Sequence, residues 1–136
     1  MTPEPLEAAV LEKLLDGDHP ILVGLRAQLA GLVVTKREYS GVGFFTTLAV
    51  NAAARPISVS SLRFGDVEAT IAGLQHGAGF LVFVEEGMLT MLEGYCYGES
   101  WPAEIRELSL RYWDPDRRDL FSSIAGLAAS RFTGGL

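Results

Sequence analysis

The sequence predicts an α+β fold: an antiparallel sheet of five or six strands, two N-terminal helices packed on one face, and a C-terminal tail or helix. Three observations predict it. Apolar residues recur at helical spacing from Leu6 to Leu32. From Val33 onward the pattern changes to β-branched, alternating segments. Those segments follow one another through turns too short for parallel crossovers, so the strands pair antiparallel. One domain over 1–136 suits the length, with a core from residue 19 to 114 and a tail from 115 to 136.

The first helix is predicted in "TPEPLEAAVLEKLLDG". Thr2 is placed to cap it, Pro3 suits the first turn, and Glu4 and Glu7 favour the positive end of the helix dipole. Leu6, Val10 and Leu14, with Leu11 and Leu15, form its apolar stripe, and Gly17 ends it. Asp18 is the expected cap of the second helix, with Pro20 in its first turn and Gly31 as its stop. Ile21, Leu22, Leu25, Leu29 and Leu32 give that helix its buried face.

Strands are predicted at "VVTKREY", "FFTTLAV", "SVSSLRF" and "DVEATIA", the last with a helical turn as its alternative. "NAAARPIS" reads as a loop. "GFLVFVEEGMLTMLEGYCY" is a hairpin whose turn falls at Glu85-Glu86-Gly87. Phe80, Val82 and Val84 alternate with Leu81 and Phe83, so both faces of this strand are apolar and cover is expected on both sides. "LSLRYW" adds a last strand. After Asp114-Pro115, "DRRDLFSSIAGLAASRF" fits a helix with Leu120, Ile124 and Leu127 on one side, against which Gly126 counts.

Composition excludes several classes. Seventeen acids against eleven bases give a net charge of −6, which disfavours binding to a phosphate backbone. From Phe64 to Ile105 there are seven acids and no Lys or Arg, a field suited to cationic partners as well as to solubility. One cysteine forms no internal disulfide and fits a reducing compartment. The N-terminus lacks the basic start and apolar run of a secretory signal. The longest charge-free runs, Tyr39–Ala54 and Ala69–Val84, are 16 residues each, short of the roughly 20 apolar residues that span a bilayer. The expectation is a soluble cytoplasmic protein with no nucleic-acid or membrane partner.

Motifs for common chemistries are missing or broken. "GVGFF" and "GAGF" are not dinucleotide loops, and the glycines are better explained by bends or bulges in strands. His19, His76 and Cys96 have no metal-ligand spacing, so neither metal nor cofactor is expected. Cys96 lies between two tyrosines with no base fixed beside it, which suits packing better than nucleophilic catalysis. Paired carboxylates make the better enzyme case. Glu93 sits in an apolar run and shares a face, by alternation, with Leu89, Met91 and Tyr95. Glu99 lies six residues on, past Gly98, and His76 is a further candidate. Two carboxylates in unlike environments can serve as acid and base. A structural role competes: Glu93 can accept from backbone amides or pair with Arg37, Arg63 or Arg111.

The densest stretch is "LEGYCYGESWP", Leu92 to Pro102. Tyr95, Tyr97 and Trp101 are the residue types that dominate binding hot spots, and acids beside them suit a cationic group. Tyr95 and Tyr97 are expected on one face of their strand with Cys96 opposite. The competing reading is that these rings close the end of the sheet, with Trp101-Pro102 stiffening the corner.

Three segments, "REYSGVGFFTTL", "GLQHGAGFLVFVEEGMLTMLEGYCYGESWP" and "LRYWD", resemble a family of small bacterial α+β proteins. Its pattern runs R-E-[YF]-T-G-V-G-F-F, G-A-G-F-x-L-F-V and L-E-G-Y-x-Y-G-E-x-W-P, and the likeness covers roughly residues 25 to 114. Ser40 departs from it, and the pattern calls for no cysteine at position 96, which weakens Cys96 further as a nucleophile. The family carries no established activity, so the resemblance implies no catalytic residues. It implies only that Glu93, Gly94, Tyr95, Tyr97, Gly98, Glu99, Trp101 and Pro102 belong to its signature.

The functional expectation is a non-enzymatic small binding protein, immunity- or antitoxin-like in type, that meets a basic protein partner through an acidic and aromatic surface. Tyr95, Tyr97, Glu93, Glu99, Trp101 and His76 are its candidate binding residues, and Glu85 and Glu86 add to its negative field. The alternative is a small hydrolase or ligand-binding enzyme using Glu93, Glu99 and His76. A third possibility is a homo-oligomer whose tail, Leu120 to Leu136, packs on a neighbour.

Overall fold

The first helix starts at Glu4, not Thr2. Glu4 and Glu7 form a reciprocal capping box, in which each carboxylate accepts from the other's backbone N–H. Helix α1 then runs Pro5–Leu14 and α2 runs Pro20–Ala27 in this computed structural model, which describes residues 1–114. His19, rather than Asp18, caps α2: its Nδ1 accepts from the backbone N–H of Ile21. The helix ends at Ala27, so Leu29 and Leu32 of the expected face lie beyond it. The C-terminal helix expected after Asp114-Pro115 lies outside the described residues.

Seven strands follow: β1 Val33–Tyr39, β2 Gly43–Ala49, β3 Ser61–Phe64, β4 Val67–Ile71, β5 Ala78–Glu85, β6 Met88–Cys96 and β7 Leu108–Tyr112. All pairings are antiparallel, in the order β1-β2-β6-β5-β4-β7, with β3 also on β5. The expected five or six strands become seven because β3 and β4 share one lane beside β5. Phe64 faces Val82 whereas Glu68 faces Gly79, so one extra residue is accommodated between the two strands. Gly65 sits at that break, where a side chain would collide with the Phe80 carbonyl. "DVEATIA" is a strand, not a helical turn.

Hairpin β5–β6 is the spine of the sheet. Its turn residues Glu86 and Gly87 both have positive φ, 52° and 76°, the type I′ geometry that matches strand twist. Of the bends or bulges expected at the GVG and GAG glycines, Gly41 and Gly77 supply bends, with φ of 87° and 71°, while the bulges fall elsewhere. Thr35 is the extra residue in β1 and Thr90 the extra residue in β6. The Thr90 bulge resets the alternation, so Leu89 turns into the core while Met91, Glu93 and Tyr95 point to the opposite face.

The inner face carries Phe44, Leu48, Leu62, Phe64, Val67, Ile71, Phe80, Val82, Val84 and Leu92, which join Val10, Leu11, Leu14, Ile21, Leu22 and Leu25 in one core. The two helices meet the sheet differently. Helix α1 contacts β4 and β5 and sends Glu7 to β1 and β2. The Gln28 cap of α2 latches the hairpin turn: its Nε2 donates to the carbonyls of Arg55 and Gly87, and its Oε1 accepts from Leu89 N–H. Every polar atom that this buried amide aims at the turn is thereby matched. The outer face holds Phe45, Leu81, Phe83, Met91 and Tyr95, all half-exposed, with no described helix or strand upon it. Cover on both sides of β5, as the sequence led one to expect, is not supplied by the described residues. No described helix is long and apolar enough to cross a membrane.

Candidate functional site

A cleft of about 580 Å³ opens between the first turn of α1 and the segment that leads from β6 to β7. Three aromatic side chains from separate parts of the chain converge on it: Tyr39 from the end of β1, Phe44 from β2 and Trp101. Trp101 is fixed by its backbone N–H, which donates to the Gly41 carbonyl at 2.8 Å. Its ring meets Phe44 edge-on, with centroids 5.3 Å apart and planes at 70°. The Phe44 ring lies against Gly94, where any side chain would strike it. Leu6, Ile105 and Leu108 complete the apolar lining, and Glu4, Glu104 and Arg106 stand at the rim. Glu104 and Arg106 pair at 3.2 Å but both side chains remain largely in water.

Behind the cleft lies a carboxylate whose burial the sequence analysis missed. Glu7 is only 3% exposed. Arg37 donates to it twice, from Nε at 2.9 Å and from Nη2 at 2.7 Å, and Thr46 donates its hydroxyl at 2.5 Å. Burial alone pushes the Glu7 carboxyl up, but the hydrogen bonds from Arg37, Thr46 and the Glu4 amide outweigh it and hold the group below its ordinary value. Arg37 also donates to the Thr2 carbonyl, which ties the N-terminus to β1. A signal was present: Glu7 precedes Val10, Leu11 and Leu14 by three, four and seven residues, so it lies on the buried stripe of its own helix.

The six residues expected to share one surface are distributed over three places. Trp101 lines the cleft. Glu93 and Tyr95 lie on the outer face of β6. Desolvation raises the Glu93 carboxyl, and the nearby Arg63 guanidinium offsets part of that. Burial is also the main reason the Tyr95 phenol is pushed up to about 12, with Tyr97 and Glu93 adding to it. Tyr95 and Tyr97 meet edge-on with centroids 5.7 Å apart, and Cys96 faces the other way, as the alternation predicted. Glu99 and His76 form the third group. The Glu99 carboxylate accepts from the backbone N–H groups of Gln75 and His76, at 2.8 and 3.0 Å, and these bonds lower its pKa. Glu99 thus clamps the turn before β5.

Glu93, Glu99 and His76 therefore do not meet in the cleft. Glu93 answers to Arg63 and Tyr95, while Glu99 answers to His76, so the acid–base pair read from the sequence occupies two electrostatic neighbourhoods. Of the arginines weighed as partners for Glu93, Arg37 binds Glu7 and Arg111 binds Glu68 and Thr70. The Cys96 thiol is buried against the Val42 and Glu99 carbonyls, which makes it packing. Among the described residues no group of His, Cys, Asp and Glu is placed to hold a metal ion.

No family model, no curated protein and no solved structure matches the chain. The functional reading rests on the site itself.

Proposed function

We propose that this is a small non-enzymatic binding protein that grips a basic segment of a partner protein in the cleft between α1 and residues 101–108. One observation carries the reading: Tyr39, Phe44 and Trp101 converge on a single cleft with two carboxylates, Glu4 and Glu104, against one guanidinium, Arg106, at its rim. Rigid aromatic walls supply contact area at little entropic cost, and their faces attract cations, as do Glu4 and Glu104. The net charge of −6 would draw a basic partner from a distance. The described lining offers carboxylates, rings and the Arg106 guanidinium but no Ser, Cys or His. Glu7, its most buried acid, already accepts four hydrogen bonds. These features favour recognition over nucleophilic chemistry. The likeness in type to immunity proteins and antitoxins is an analogy of size, charge and fold class.

Tyr39 and Tyr97 provide a matched test. Both are exposed, at 65% and 48%, so either is removable without opening the core. Wild type, Tyr39→Ala and Tyr97→Ala are each immobilised and offered the native lysate, and the affinity of any stoichiometric basic protein is then titrated. Tyr39→Ala is expected to weaken binding by about 2 kcal/mol, close to thirtyfold, as hot-spot anchors do. Tyr97→Ala is expected to bind as wild type. Loss only in Tyr97→Ala would move the surface to the tyrosine edge of β6, and wild type retaining no protein would remove the support for the reading.

A further inference from the structure

The outer face of the sheet is an apolar surface built across three neighbouring strands. In register, Phe45 of β2 faces Glu93 of β6, which faces Leu81 of β5. One row along, Thr47, Met91 and Phe83 align in the same way. Tyr95 continues the block and lies over Gly79. Charged side chains border it and several are already paired, Lys36 with Glu38 and Arg111 with Glu68. Phe45, Leu81, Phe83 and Met91 are only partly buried and lie on adjacent strands, the arrangement that marks an interaction surface.

We propose that this face is the docking site of the chain's own C-terminal segment, residues 115–136. The chain leaves β7 at Tyr112, and β7 is the edge strand on the β4 side of the sheet. Reaching β6 from there means crossing three strand spacings, about 14 Å, and reaching β2 about 19 Å. Twenty-two residues follow Asp114, enough for about 33 Å even at helical rise. The segment needs an apolar partner. Its stretch from Leu120 to Ser130 has no charge and carries Leu120, Ile124 and Leu127 at helical spacing.

Charge agrees with length and pattern. Residues 1–114 hold fifteen acids and eight bases, a net of −7, while 115–136 holds two acids and three arginines, a net of +1, which together give the −6 of the whole chain. Asp119 and Arg131 bound the uncharged stretch, with Arg117 and Arg118 just before it, so these arginines would fall at the border of the face, while the apolar residues would cover Leu81, Phe83 and Met91.

The test uses the full chain, with a photo-cross-linker on the face. Phe83→p-benzoylphenylalanine and, separately, Phe45→p-benzoylphenylalanine are prepared as mixtures of isotopically light and heavy protein, irradiated, digested with trypsin and read by mass spectrometry. The expected product from Phe83 joins the peptide Phe64–Arg106 to Asp119–Arg131 within one chain, light to light or heavy to heavy. Adding Leu120→Asp and Ile124→Asp should cut its yield by about tenfold or more, the equivalent of losing the burial of one aliphatic side chain. Products joining light to heavy chains would put a second copy on the face and overturn the proposal. So would cross-links from both positions that avoid 115–136, or a yield indifferent to the two aspartates.

Discussion

Each face of the sheet sets one carboxylate among apolar side chains, and the two are treated in opposite ways. Glu7, reaching the inner face from α1, is almost wholly buried and is met by Arg37, Thr46 and the Glu4 amide. Glu93, on the outer face of β6, has Arg63 as a more distant neighbour and no hydrogen bond to its carboxylate from the described residues. The result is a pKa held down for Glu7 and pushed up for Glu93. Burial costs a charge in both places, and the partners decide whether that cost is offset. The inner face is a finished interior with its polar groups matched. The outer face is a surface on which a charge is half-desolvated without full compensation.

Removing the inner carboxylate should have the largest effect. Glu7→Ala would take from the Arg37 guanidinium and the Thr46 hydroxyl the carboxylate that both donate to. Urea unfolding should show a loss of about 3 kcal/mol, the usual cost of stranding one half of a buried pair. A loss below about 1 kcal/mol would mean that water replaces the carboxylate and that the inner face is wetter than its packing implies. Because the folded pKa of Glu7 is lowered, its contribution is present above the ordinary carboxylate range and disappears as pH falls through the folded value. The gap between wild type and Glu7→Ala should therefore narrow in acid.

A second comparison uses glycines that each make room for a ring. Gly94 accepts the Phe44 ring on the inner face, and Gly79 accepts the Tyr95 ring on the outer face. Phe44 is itself locked by Trp101 and buried, so it has nowhere to move. Tyr95 is half-exposed and can swing outward. Gly94→Ala should cost about 2 kcal/mol and Gly79→Ala less than about 1 kcal/mol, both by thermal or urea unfolding. Equal costs would show that the outer face is as tightly held as the inner one.

The same asymmetry explains what could be read from the sequence. Strand identity was legible because alternation is local: "VVTKREY", Val33 to Tyr39, coincides with β1, and the Glu86-Gly87 turn was marked by its glycine. The lane shared by β3 and β4 was not legible, because it depends on how Gly65 meets the Phe80 backbone across the sheet. Nor was the Thr90 bulge, which moved Leu89 away from the face of Glu93. The site was legible in residue type but not in grouping. Trp101 was singled out for its residue type and lines the cleft, yet its neighbours Tyr39 and Phe44 lie about sixty residues earlier in the chain. Tyr95, which is near in sequence, faces the other way. Helix caps missed by one or two residues because glutamate and histidine stood in for the usual Thr and Asp.

The smallest expected effect probes the outer carboxylate alone. A raised folded pKa means that the native state holds a proton more readily than the unfolded chain. Native stability therefore falls as pH rises from the ordinary carboxyl range through the folded value, and the cost is fully present above it. Glu93→Gln keeps the shape and removes the charge. At about pH 7 it should stabilise the protein by a few tenths of a kcal/mol, small because solvent still screens the group and the Arg63 attraction is lost with the charge. At about pH 3.5, where the native carboxyl is protonated anyway, wild type and variant should unfold together. The sign matters more than the size. A stabilising Glu93→Gln beside a destabilising Glu7→Ala would mean that partners outweigh burial in deciding what a carboxylate contributes on either face of the sheet. A destabilising Glu93→Gln would mean that Glu93 is partnered after all, and that the outer face is as complete as the inner.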